Sequence, residues 1–300
     1  MSDGETGLVF ELILQTCANA IVASSFAAIF AVGLVLLFGI MQVVNFAHGE
    51  LYMAGAYTVW FLYAEHNLPY FAALVVAVAT AAGLGILMEL TLFRWKRSDQ
   101  LGGLILSVGA LFILQVAAVF FFGEGLMKNV PDPLHGAWQI GGLESVSVSY
   151  QRLLALGVTV ALLVVFWMFL KRTKLGWALR ACMQDREAAA LQGISIDRFA
   201  ILAMAISAGL AGAGGAVMAP LVQVNARMGH PVIMTALIVI IVGGVGSLEG
   251  AVLAAILYMF LHTFMTTFVG GVYATILGFA LMVLILVVKP TGILGKSEKI

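Results

Sequence analysis

The stretch Asn45-Phe46-Ala47-His48-Gly49-Glu50 sets a carboxamide, an imidazole and a carboxylate within six residues, inside a largely apolar run from Leu8 to Trp60. Polar and ionisable side chains are costly in hydrocarbon, and so is backbone freed from a helix. Such a cluster therefore belongs to a broken helix lining a protected path. Outward from it the chain stays greasy: 62% of the 300 residues are hydrophobic, 10% are charged, and the mean hydropathy is +1.08. A soluble domain of this size has no use for so much apolar surface.

Apolar runs near the roughly 20 residues needed to cross a bilayer recur along the chain. They predict spans at about 8–40, 50–66, 70–93, 101–122, 151–170, 199–222, 231–246, 250–268 and 272–288. The short alternating segments of a membrane barrel are missing. The expected fold is all-α, a polytopic transmembrane bundle with about eight or nine spans and broken or re-entrant helices near 45–50 and 243–250. One transmembrane domain is expected over 1–300, with an outer loop at 123–150 and an inner segment at 171–198.

Net charge is zero, which gives no support to a nucleic-acid partner; the placement of the charges is informative. With the Arg94-Trp95-Lys96-Arg97 loop inside, one face also receives Lys171, Arg172, Lys174, Arg180, Arg186, Arg198, Lys289, Lys296 and Lys299. That makes twelve of the fifteen basic residues. Only Lys128, Arg152 and Arg227 fall outside. Basic residues beside span ends resist translocation, so the expected amino terminus, with Asp3 and Glu5, lies outside and the carboxyl terminus inside. No basic n-region precedes the first span, which is expected to act as its own insertion signal. Cys17 in a span and Cys182 in the inner segment are not placed to form a structural disulfide.

The outer loop holds Pro131, Pro133, Gly136, Gly141 and Gly142, then Val146-Ser147-Val148-Ser149 with strand-like alternation. A short hairpin is expected there, serving either as a connector or as a docking surface for an outer partner. The inner segment reads KRTKLGWALRACMQDREAAALQGISIDR. Good helix formers from Trp177 to Leu191 predict one surface helix, with Leu179, Cys182, Met183 and Ala190 towards one face and Arg180, Gln184 and Glu187 elsewhere. Gly193 should end it in positive φ. By itself such a helix is as easily a plain connector.

Glu187-Ala188-Ala189 with Gly193 beyond resembles the EAA loop of ABC importer permeases. Together with NFAHGELYMAGAY at 45–57, GGVGSLEGA at 243–251, RACMQDREAAALQGISIDR at 180–198 and KPTGILG at 289–295, the chain resembles the LivH-type permeases of branched-chain amino-acid transporters from about Ile29 to Gly295. Urea and short-amide permeases share the layout and a similar Asn-x-Ala-His-Gly-Glu segment.

The resemblance implies a multi-pass subunit of a bacterial inner membrane. Its implied partners are a second homologous permease, two cytoplasmic ATPases, an outer substrate-binding protein and membrane lipid. It implies ATP-driven import of leucine, isoleucine and valine, with hydrolysis left to the ATPases and no cofactor or metal on this chain. The implied coupling residues are Arg180, Asp185, Arg186, Glu187, Ala188, Ala189 and Gly193. No nucleotide loop is readable: ahead of Gly295-Lys296-Ser297 the position of the required first glycine is Pro290, and Gly244-Val245-Gly246 is flanked by spans rather than a βαβ unit.

The candidates for the pathway or for helix breaks are Asn45, His48, Glu50, Gln115 and Glu249. Asn45, His48 and Glu50 either meet a zwitterion's charged ends or cap broken helix ends. Gln115, Ser207 and His262 are lone mid-span polar groups, expected to bond a neighbouring helix. Glu89 and Arg94 are expected to snorkel. Met41, Met53, Met88 and Phe120-Phe121-Phe122 are expected in core or lipid contact. Segments 29–43, 45–50 and 51–65 echo 231–242, 243–250 and 251–268. They read as a parallel repeat with Glu50 and Glu249 in comparable places and both breaks converging on a central passage. A self-contained transporter or channel, with Glu50 and His48 relaying protons or ions, is the rival reading. It would have no need of the EAA-like loop.

Overall fold

The structure, a computed structural model, describes residues 3–96, 99–123, 127–139 and 146–295. Helix α1 (Asp3–Met41) leads to the short α2 (His48–Val59), which runs on as a π-helical turn over Trp60–Glu65. Helix α3 (Tyr70–Met88) ends in a second π-helical turn, Glu89–Phe93, and α4 (Gln100–Phe122) follows. A hairpin of β1 (Ala137–Gln139) and β2 (Ser147–Ser149) precedes α5 (Tyr150–Arg172). Two small helices, α6 (Lys174–Gln184) and α7 (Arg186–Leu191), join it to α8 (Ile196–Met218). The chain closes with α9 (Gly229–Gly243), α10 (Leu248–Phe268) and α11 (Gly271–Val288).

Polar residues mark where the helices start, because each first turn leaves N–H groups without intrahelical partners. Asp99 accepts from Gly102 N at 2.9 Å, Ser149 from Arg152 N at 3.3 Å, Thr173 from Gly176 N at 3.0 Å and Ser247 from Gly250 N at 3.0 Å. Among the described residues, seven helices are long and apolar enough to cross a membrane: α1, α3, α4, α5, α8, α10 and α11. The all-α, polytopic expectation holds.

The two remaining expected spans, 50–66 and 231–246, centre on α2 and α9. At about 1.5 Å per residue, α2 with the π-helical turn that continues it (12 and 6 residues) rises about 27 Å and the 15 residues of α9 about 22 Å, against a hydrocarbon core of about 30 Å. Both are held inside the bundle. Helix α1, by contrast, runs 39 residues and exposes Leu8 and Phe10 at its start. Connectivity puts the described basic residues of the expected inner set at one end of the bundle, here the loop end, and Lys128, Arg152 and Arg227 at the hairpin end. Arg97, Lys296 and Lys299 lie outside the described residues, as do Gly141, Gly142 and the side chains of Asp3 and Glu5.

The core forms around α8, which is buried without interruption from Ser207 to Val217 and packs against α1, α2 and α3. Small residues let backbones meet. A Cβ on Gly55 would run into the Gly212 carbonyl, and one on Gly215 into the carbonyl of Tyr52. Hydrocarbon gives helices little reason to associate beyond close packing and interhelical hydrogen bonds, so such contacts hold the bundle. Ser207 Oγ adds one, donating to Gly33 O at 2.7 Å as expected of a lone polar group.

Glu89 departs from expectation. It is fully buried rather than snorkelling, because the π-helical turn it opens packs against α4 and α8; Arg94 is exposed. Met41, Met53 and Met88 are core residues, whereas Phe120 and Phe121 face outward.

These contacts predict opposite outcomes for two glycines. Gly215→Ala should cost about 1–3 kcal/mol by overpacking. Gly109→Ala, where a Cβ meets nothing within 4 Å, should be neutral or gain up to about 1 kcal/mol of helix propensity. Apparent melting temperatures in detergent should fall for the first and hold or rise for the second.

Candidate functional site: a broken helix at mid-bundle and a paired-helix loop at one end

Helix α1 stops at Met41, and Gln42 turns the chain at φ 55°. Two side chains take up the backbone groups this break frees. Asn45 Oδ1 accepts from Ala47 N at 3.0 Å, and Ser107 Oγ, on α4, accepts from Phe46 N at 3.2 Å. The residue capping α2 is Ala47, with no side-chain cap. Stabilising the break therefore falls to Asn45 and to Ser107, which the sequence did not single out.

Glu50 does not cap. Its Oε1 accepts from Gln115 Nε2 of α4 at 3.0 Å, while Oε2 is buried with no hydrogen-bond partner. The structure thus joins Glu50 to Gln115, read from sequence as an isolated mid-span residue. His48 lies elsewhere: two positions apart on a helix means opposite faces. Its ring stacks at a tilt on Phe30, 4.6 Å between centroids, lies against Gly33 of α1, and turns towards the backbone of Phe30. Asn45 Nδ2 is buried without a partner. Glu50 and His48 therefore cannot close on a zwitterion from one side.

Next to this turn a second helix begins. The first turns of α2 and α9 meet backbone to backbone, so that a Cβ on Gly49 would sit 2.6 Å from the Gly229 carbonyl oxygen. Nothing in the sequence pairs residues 49 and 229.

The structure does not place Glu249 beside Glu50. The turn at 244–247 lies at the loop end, Glu249 is exposed in the first turn of α10, and Ser247 caps that helix. The two breaks do not converge: 45–50 packs on Gly33, Ser107, Gln115 and Gly229, whereas Gly244, at φ 105°, packs on Thr291 and Gly295. What gathers there instead is the carboxyl-terminal stretch KPTGILG. Ile293 N donates to Val242 O at 2.9 Å and Leu294 N to Gly243 O at 3.0 Å. The tail thereby satisfies the last carbonyls of α9, which would otherwise lack partners.

The inner segment forms two helices rather than the single one expected over Trp177–Leu191. Asp185, extended at φ −157°, ends α6 and caps α7 by accepting from Ala188 N at 2.9 Å. The break shifts the register: Leu179 and Cys182 are buried as expected, but Ala189 is buried in place of Ala190, which is exposed. These residues anchor the pair on α1, α5 and α8 through Ile40, Leu170 and Ala200. Burial pushes the Cys182 thiol up, partly offset by the Arg186 charge.

Helix α7 ends as Gly193 implied. Gly193 takes φ 84°, its N–H donates to Ala190 O at 2.9 Å, and Ile194 N reaches Ala189 O at 3.1 Å, the paired bonds of a Schellman end. Glu187, Ala188 and Gly193 are exposed, with Arg180 and Arg186 half-buried. Beside them stand Leu191, 90% exposed, and Trp177, 56% exposed. Two large apolar side chains thus stay uncovered on an anchored pair of helices, which the sequence reading passed over.

Compared with known proteins, residues 16–286 match the family described as branched-chain amino acid transport system, permease component. The chain belongs to that family. It is 30% identical to the high-affinity branched-chain amino acid transport system permease protein LivH of Escherichia coli K12, over 96% of this chain and 97% of LivH. It is also 30% identical to the permease protein BraD of Pseudomonas aeruginosa, over 95% of this chain and 96% of BraD. With the permease protein LivM of E. coli K12 the identity is 28%, over 90% of this chain and 68% of LivM. Among solved structures, PsaBC from Streptococcus pneumoniae in complex with Fab shares the fold, with a TM-score of 0.52, 14% identity and 92% of each chain covered.

For this permease-family chain the loop geometry gives a direct prediction. A Cβ on Gly193 would meet nothing within 4 Å, so Gly193→Ala carries only the backbone cost of a left-handed conformation, about 1–2 kcal/mol. Hydrogen exchange should show reduced protection confined to 186–194, with the spans unchanged.

Proposed function

We propose that this chain is the membrane-spanning permease subunit of an ABC importer that moves leucine, isoleucine and valine into the cell. In this reading it pairs with a second homologous permease, two cytoplasmic ATPases and an outer substrate-binding protein, in a bacterial inner membrane. The amino terminus is outside, the loop end is cytoplasmic, and α2 and α9 complete a set of about nine membrane segments. The distribution of basic residues supports this orientation. The substrate rests on the family and on the named relatives.

One observation carries the coupling: α6 and α7 are anchored on three spans by buried side chains while presenting Trp177, Glu187 and Leu191 outward. Exposed apolar residues on a rigid support fit a cleft in an ATPase. ATP binding draws the ATPases together, α6 and α7 follow, and α1, α5 and α8 move with them, switching the passage between outward and inward access.

Two measurements test the reading. Impermeant thiol reagents added from outside should label a cysteine placed at 135 and spare one at 185; equal labelling overturns the map. Glu187→Arg should leave insertion intact but reduce ATPase co-purification and leucine uptake together, on the order of tenfold for a disrupted contact of 1.4 kcal/mol. Normal assembly and uptake in that variant would reduce α6 and α7 to a connector.

A further inference from the structure

Between Glu144 and Asp185 the sequence has no acidic residue, yet Lys171, Arg172 and Lys174 crowd the corner where α5 gives way to α6. The corner is rigid. Trp177 Nε1 donates to Lys171 O at 2.8 Å, and a Cβ on Gly176 would run into Phe169 O, so the start of α6 lies against the last turn of α5. All three cations are exposed, and among the described residues none of them forms an ion pair. Lys289, at the same end, is by contrast engaged: its Nζ donates to Ile293 O at 2.8 Å. The outward side of α5 leading to this corner is apolar, with Val160, Val164, Val165 and Met168 exposed. Trp167 closes it, half-exposed, with Lys171 Nζ 4.3 Å from the centre of its ring. The 23 residues of α5 rise about 34 Å against hydrocarbon of about 30 Å, which puts Trp167 near the boundary and the cations just beyond it. Indole rings favour that boundary, and a lysine stem lying on one carries its charge to the polar side.

We propose that the α5–α6 corner binds the headgroup of an anionic phospholipid, its phosphate held by Lys171, Arg172 and Lys174 and its acyl chains lying along α5. A phosphodiester is an acceptor-rich anion that matches three uncompensated cations, and a guanidinium such as that of Arg172 takes two of its oxygens at once. An acidic protein surface would match the charges but has no use for the apolar face that leads up to them. The chain needs only to span a membrane for this; import of amino acids is not assumed. Because α6 begins at Lys174, the bound headgroup also sets the level at which α6 and α7 leave the membrane.

The test takes the full chain from vesicles of equal parts phosphatidylglycerol and phosphatidylcholine, and native mass spectrometry reads which lipid stays bound. The wild-type chain should retain phosphatidylglycerol preferentially. Lys171→Gln, Arg172→Gln and Lys174→Gln should each lower that preference about fivefold, the worth of one basic residue at an anionic surface. The triple variant should retain both lipids equally. All three positions are exposed, and the single variants keep the comparison open where the triple folds poorly. Arg198→Gln, at an exposed cation of the same end that directly follows Asp197, should leave the preference within twofold of the wild type. Inorganic phosphate should displace no more lipid than chloride at the same ionic strength. A wild-type chain that retains both lipids equally overturns the proposal and leaves the three cations to an acidic protein partner. An Arg198→Gln loss as large as the others also overturns it, since the preference then belongs to the whole loop end. Displacement by phosphate beyond that by chloride does the same, since the corner then takes a free anion.

Discussion

The structure depends on backbone meeting backbone. In lipid, apolar side chains gain nothing by leaving one greasy environment for another, so helices stay together through close packing and hydrogen bonds. Here α8 brings Gly212 and Gly215 against Gly55 and Tyr52 of α2, and α9 brings Gly229 against Gly49. These contacts hold α2 inside the bundle, buried along most of His48–Val59. They also allow the break before it, since non-helical backbone at this depth is tolerated only when enclosed by protein.

Enclosure divides the polar residues by task. Asn45 and Ser107 satisfy backbone groups at the break, His48 packs into the α1 side, and Glu50 turns to α4. Glu50, which keeps one oxygen without a hydrogen-bond partner, thus faces a peripheral helix rather than the central one. Helix α9 adds a mechanical consequence. Its first turn abuts the Gly49 turn, and its last carbonyls are held by the tail at 293–294. One rigid helix of about 22 Å therefore connects the loop end to the broken helix at mid-bundle. Leu248 and Val252, just beyond it, pack on the cluster that anchors α6 and α7.

Much of this was legible in order along the chain. Span composition, the strand at 147–149, a helix break near 244, one at 42–47 that overlaps the expected 45–50, and the positive φ of Gly193 all follow from local rules: length of apolar run, alternation, loss of helical hydrogen bonds, and the freedom of glycine. The family was readable too, because its short motifs recur in sequence order. The split at Asp185 was not. A capping carboxylate in a run of good helix formers looks like one more polar position until its side chain is seen turning back onto Ala188 N.

The sequence alone determined the membrane class, the charge asymmetry and the positions of the breaks, because hydropathy and local turn chemistry act within a few residues. Only the tertiary structure decided which polar groups share a site. Glu50 meets Gln115 across 65 residues and Gly49 meets Gly229 across 180, while Glu249, which looked equivalent to Glu50, is exposed at the far end of α9. Apolar helices of similar composition give no local signal of which faces touch. That choice belongs to the positions where missing side chains let backbones approach, and they act only once the whole bundle is assembled.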